Sequence, residues 1–103
     1  MWAQMISMRI KPGRDAEMTA LVEQLRAAEQ PDSGLIREIT MRDQNELNHY
    51  YMLVMFESEE HARARESDPR RAELLSGLRD TMMEISDGDR GFVDLEVLGE
   101  TSH

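Results

Sequence analysis

Asn48-His-Tyr-Tyr-Met-Leu-Val-Met-Phe-Glu57 is the longest apolar run in the chain, and its reading decides the fold. Its aromatic and β-favouring residues predict a strand. Successive strand side chains point to opposite faces. Tyr50, Met52, Val54 and Phe56 therefore share one face, and His49, Tyr51, Leu53, Met55 and Glu57 the other. Both sets are largely apolar, so the strand needs cover on both sides. Helices of a 103-residue chain can cover one side; something else must cover the other.

Upstream of this run, Leu35 to Arg42 alternates as a strand, with Leu35, Arg37, Ile39 and Met41 against Ile36, Glu38, Thr40 and Arg42. Asp43-Gln-Asn-Glu46 has the length of a hairpin loop, which predicts antiparallel pairing with the central strand. Trp2 to Ile10 is a first strand, with Trp2, Gln4, Ile6, Met8 and Ile10 on one face and Ala3, Met5, Ser7 and Arg9 on the other. Lys11-Pro12-Gly13 ends it, because proline has no amide proton and glycine permits the turn. From Arg14 to Gln30 the period becomes helical, with Met18, Leu21, Val22, Leu25 and Ala28 in one stripe. Pro31-Asp-Ser-Gly34 closes that helix.

Downstream, Ser58 suits an N-cap, and Glu59 and Glu60 suit the positive end of a short helix. That helix stops before Pro69. Asp68-Pro69 opens another, with Leu74, Leu75, Leu78, Met82 and Ile85 as its apolar stripe. Residues 86–91 read as a loop, Phe92 to Leu98 as a last strand, and 99–103 as a tail.

The order β-α-β-β-α-β predicts an α+β fold of the ferredoxin-like kind over one domain, 1–103. This plait has one four-stranded antiparallel sheet with helices on one face. Its open face, carrying either His49, Tyr51, Leu53 and Met55 or the equally apolar opposite set, would be apolar beyond what soluble monomers usually expose. A homodimer packed through the open sheet face resolves this.

Composition excludes several classes. There is no cysteine, hence no disulfide framework or thiolate metal site. The net charge of −9 argues against nucleic acid as a partner. No apolar run reaches the roughly 20 residues of a membrane span, so no membrane partner is expected. The N-terminus lacks a secretion-signal layout, which predicts a cytoplasmic protein. Arg63, Arg65, Arg70 and Arg71 are interleaved with Glu59, Glu60, Glu66, Asp68 and Glu73, the pattern of a solvated mixed-charge face. The three histidines show no metal-box spacing. Glu57 and His61 are four apart, but Glu57 closes a strand, so no metal is expected.

Three segments resemble the antibiotic biosynthesis monooxygenase (ABM) family of dimeric α+β barrels. They are Arg9-Ile-Lys-Pro-Gly13, Pro31-Asp-Ser-Gly34, and Tyr51 to Ala62 with Ser67-Asp-Pro69 beyond it. The resemblance spans roughly Met5 to Val97. It implies fold and dimer more narrowly than reaction, since the family includes cofactor-free oxygenases of quinol-like aromatics, heme-degrading enzymes and isomerases. The Asn, Trp and His of the heme-degrading branch align with Met5 or Ile6, Arg65, and Leu74 or Leu75, so heme degradation is not expected. Phe56 stands where relatives often have Trp, and Met52 replaces an Asn.

The resemblance places a pocket between sheet and helices. Gln4, Ile6, Tyr50, Met52 and Phe56 would line its sheet side, and His61, Arg65 and Leu75 its helix side. Such an apolar cavity with few polar groups suits a planar aromatic ligand. His61 is a base of the right type near neutral pH, and Arg65 could hold an enolate or phenolate oxygen. The competing reading makes Tyr50, Met52 and Phe56 plain core, with His61 and Arg65 in solvent. The expected function is thus a monooxygenase or related isomerase of a small aromatic, needing no cofactor. The alternative is a non-catalytic ligand-binding or interaction homodimer.

Overall fold

The computed structural model describes residues 1–80, 82–85 and 92–103. The loop predicted over 86–91 lies outside them, as do the side chains of Leu75 and of residues 77–85. The elements in chain order are β1 (Trp2–Ile10), α1 (Asp15–Ala27), β2 (Leu35–Arg42), β3 (His49–Phe56), α2 (Glu59–Glu66), α3 (Pro69–Asp80), β4 (Met82–Ile85) and β5 (Val93–Glu96). Among the described residues, no helix is long and apolar enough to cross a membrane.

β3 lies between β2 and β1, antiparallel to both, with Ile6 opposite Met52 and Thr40 opposite Met52 on the other side. The outer edge of β1 takes two partners in succession. β5 pairs along Trp2–Met5 and β4 along Met8–Ile10, both antiparallel. The sheet therefore has four positions, ordered β2-β3-β1 and then β4 with β5, which is the ferredoxin-like α+β plait.

The helices cover the Tyr50, Met52, Val54 and Phe56 face of β3, a choice that alternation alone left open. Met18, Val22 and Leu25 of α1 are buried with Met8, Ile10, Tyr50 and Met52, and Leu74 of α3 packs against this cluster. Ala62 of α2 is buried with Val54 and Phe56. Phe56, Met8, Ile10 and Val54 are the largest fully enclosed side chains. Each such burial contributes about 1.5–3 kcal/mol. The opposite face carries Ile39, Met41, Val93 and Leu95, each between 36% and 43% exposed. It is the open apolar face.

Local chemistry sets the helix starts. The Ser58 side chain accepts from the His61 amide at 3.2 Å, capping α2. Asp68 Oδ1 accepts from the Arg70 amide at 3.0 Å, with Pro69 at the first helical position of α3. Asp43 Oδ1 accepts from the amides of Asn45 and Glu46 and shapes the β2–β3 turn.

Three expectations are corrected. α1 ends at Ala27 rather than Gln30. α3 ends at Asp80, and Met82–Ile85, read as the end of its stripe, pairs with β1 as β4. Apolar residues three apart fit a helix, but the outer edge of β1 offers backbone partners that a longer α3 would leave unpaired. In β2 the register shifts between Leu35 and Arg37, which puts Leu35 beside Val54 and Phe56 on the helix side. One inserted residue reverses the alternation before it.

Candidate functional site

α2 begins immediately after β3, and its first turn lays His61 against the turn that leads into β2. Gly34 has φ +78°, a backbone conformation that favours glycine, and a Cβ there would overlap the His61 ring. His61 Nδ1 lies 2.7 Å from Ser58 Oγ, and Nε2 lies 3.9 Å from Glu57 Oε2. Four residues on, Arg65 points inward, with its side chain 11% exposed. Its Nε and Nη2 donate to Glu29 Oε1 at 3.0 and 2.8 Å, and its guanidinium sits 5.3 Å from the Phe56 ring centre.

His61 and Arg65 open onto one cleft of about 210 Å³ between the end of α1, α2 and the start of α3. Glu29, Ser33, Ala64, Asp68, Arg70 and Arg71 also line it. Paired hydrogen bonds from Arg70 hold the Asp68 carboxyl well below the usual range, at about 2. Burial, and then the neighbouring Arg65, push the Arg71 guanidinium down from its ordinary value.

The sheet-side candidates lie elsewhere. Ile6, Tyr50 and Met52 pack in the core cluster with α1, and Phe56 is fully enclosed under Ala62. Tyr50 also lines an open groove with Met18, Val22 and Thr40. Gln4 is buried, and its amide donates to Glu66 Oε1 at 2.7 Å and Asp94 Oδ1 at 3.3 Å. The Leu75 side chain is outside the described residues. The structure thus joins His61 to Arg65, and it places Gln4, Ile6, Met52 and Phe56 among core packing and a polar network.

The arginine run is not the uniformly solvated face expected. Arg63 is partly exposed and bonds Glu59, Glu66 and Asp94, whereas the Arg65 and Arg71 side chains are only 11% and 10% exposed. Arg71 was missed as a cleft residue, although its position three before Leu74 puts it on the apolar stripe of α3.

A second polar cluster lies on the open sheet face. Ser7 Oγ is 2.6 Å from His49 Nε2, and His49 Nδ1 is 3.2 Å from Glu46 Oε2. Asp43, Glu46 and His49 bring three potential metal-ligand atoms within 4.8 Å of one another. Arg9 already places a guanidinium on Glu46 Oε2 at 2.9 Å, which supplies the positive charge a cation would bring.

The family model described as antibiotic biosynthesis monooxygenase matches residues 1–76. Among solved structures, a variant of SnoaB, a cofactor-independent oxygenase from Streptomyces nogalater, superposes with a TM-score of 0.80. The two are 14% identical, over 99% of this chain and 97% of that one. A conserved protein from Methanosarcina mazei Go1 superposes at 0.79 with 13% identity, over 91% of this chain and 89% of that one. At such identities the likeness speaks for the fold. No curated protein matches the sequence.

Proposed function

Because the chain belongs to the antibiotic biosynthesis monooxygenase family, we propose that it is a cofactor-independent monooxygenase of a small aromatic carrying an ionisable hydroxyl. The observation that carries this reading is the convergence of His61 and Arg65 on one cleft. The His61 imidazole takes the hydroxyl proton, and Arg65, with Arg71 beside it, faces the charge that develops on the ring oxygen. The electron-rich oxyanion then reduces dioxygen itself. One oxygen atom becomes a carbonyl on a ring carbon that loses its hydrogen, and the other leaves as water with the protons of that C–H and the hydroxyl. The phenol ends as a quinone, so the substrate supplies all four electrons. Without oxygen, return of that proton from His61 to a ring carbon would give an isomerisation.

Two copies pack through the open sheet face in this reading. Ile39, Met41, Val93 and Leu95 support it, since a lone chain would leave them in water. The absence of cysteine suits a reducing cytoplasm. The burial of Met52 and Phe56 in the core, with Ile6 packed against it, favours a second reading, a homodimer of the same fold that binds a ligand without turning it over.

Oxygen uptake on dihydroxynaphthalene-type quinols separates the two. Wild type should consume oxygen, and His61→Ala and Arg65→Ala should each slow it by about a hundredfold, the scale of one general base or one charge-stabilising group. No uptake, or uptake unchanged in both variants, refutes the catalytic assignment. A thermal shift with aromatic ligands and no uptake leaves the binding homodimer.

A further inference from the structure

Arg70 and Arg71 are adjacent on α3 but have different surroundings. The Arg70 side chain is 59% exposed and is held by both oxygens of Asp68. Arg71 turns inward and is 8% exposed. A guanidinium carries five N–H donors. Among the described residues, the one hydrogen bond of the Arg71 side chain runs from Nη1 to Glu29 Oε1 at 3.4 Å, long for a charged pair. The Glu29 carboxylate is already engaged by Arg65. The only fully enclosed side-chain polar atom without a partner, among the described residues, is Asp15 Oδ1. The unused donors of Arg71 are therefore not sealed in protein; they open onto the cleft it lines.

We infer that this cleft binds a small hydroxyaromatic acid, its carboxylate on the free fork of Arg71 and its hydroxyl towards His61. The inference rests on the cleft's being the substrate site, and it narrows the substrate class. A guanidinium fork matches the two oxygens of a carboxylate. Arg65 and Arg70 each grip a carboxylate through more than one donor, whereas Arg71 reaches Glu29 by one long bond, which leaves its other donors for an incoming carboxylate. Glu29, Asp32 and Asp68 line the same cleft, so a dianionic phosphate would meet more repulsion than a monoanion. The methyl groups of Ala28 and Ala64 offer a small apolar wall, and about 210 Å³ suits a single ring.

The test is titration of salicylate, salicylamide and phenyl phosphate into wild type, Arg71→Gln and Arg71→Lys, followed by NMR of backbone amides and guanidinium Nε–H groups. Salicylate should saturate wild type and move the Arg71 Nε–H signal. Salicylamide and phenyl phosphate should bind about tenfold or more weaker, the worth of one charge-assisted pair. Arg71→Gln should lose a similar factor and Arg71→Lys less, because lysine keeps the charge without the fork. Should Arg71→Gln not fold, the wild-type comparison decides alone. Equal binding of acid and amide, tighter binding of the phosphate, no binding of salicylate, or saturation without movement of the Arg71 signal would each overturn the inference. Salicylate binding without oxygen uptake on any quinol would sink the oxygenase and leave this site standing. Uptake on neutral quinols with no salicylate binding would do the reverse.

Discussion

Gly34 is the position where one added methyl group tests the geometry of the cleft. Gly13 and Gly34 both have positive φ, +81° and +78°, so alanine at either incurs the left-handed backbone penalty. That penalty is about 1–2 kcal/mol, less roughly 0.4–1 kcal/mol recovered from the stiffer unfolded chain. Gly13 has no atom within 4 Å of an added Cβ. Gly13→Ala should therefore cost about 1 kcal/mol and nothing more. At Gly34 the new Cβ would overlap the His61 ring and come within 2.7 Å of the His61 Cβ. A rotated ring relieves only the first contact; the second requires the first turn of α2 to move. Movement breaks the 2.7 Å Ser58–His61 side-chain bond and strains the Ser58 cap, at about 0.5–1.5 kcal/mol each. Gly34→Ala should thus lose about 2–4 kcal/mol. Urea unfolding of both variants at constant m-value measures the difference directly. Equal losses would refute the placement of His61 against Gly34, and with it the position of the base in the cleft.

Two further outcomes follow from the network and the open face. Hydrogen bonds from Arg63, and then from Trp2 and Gln4, hold the Asp94 carboxyl at about 2, below its ordinary 3.8. A depressed carboxyl stabilises the fold above the unfolded value and loses that contribution as pH falls towards 2. With its side chain 18% exposed and partly screened, the loss should be about 1–2 kcal/mol between pH 4 and 2, and Asp94→Asn should flatten that acid limb. An unchanged limb counts against the Asp94 network. Light scattering of wild type should report about twice the 11.9 kDa chain mass, and Leu53→Asp or Met55→Asp should give monomer or unfolded chain. A wild-type monomer at micromolar concentration would sink the packing of the open face.

The sequence by itself determined the layers. Alternation along β3 grouped Tyr50, Met52, Val54 and Phe56 on one face, and the 3.6-residue period assigned Met18, Val22 and Leu25 to one stripe of α1; that these two surfaces meet is seen only in the packed structure. The caps at Ser58 and Asp68 were legible for the same reason, since each acts within three residues. Only the tertiary structure decided the rest. Met82–Ile85 is short enough for its apolar spacing to fit helix or strand, and the free edge of β1 chose the strand. The inserted residue in β2 became visible only against the register of β3. The cleft was the least legible part. Glu29 meets Arg65 across 36 residues and Arg71 across 42, and charge pairing at that range leaves no periodic trace in the chain. Propensity and period act over a few neighbouring residues, whereas the burial that left Arg71 short of acceptors exists only once α1, α2 and α3 have packed.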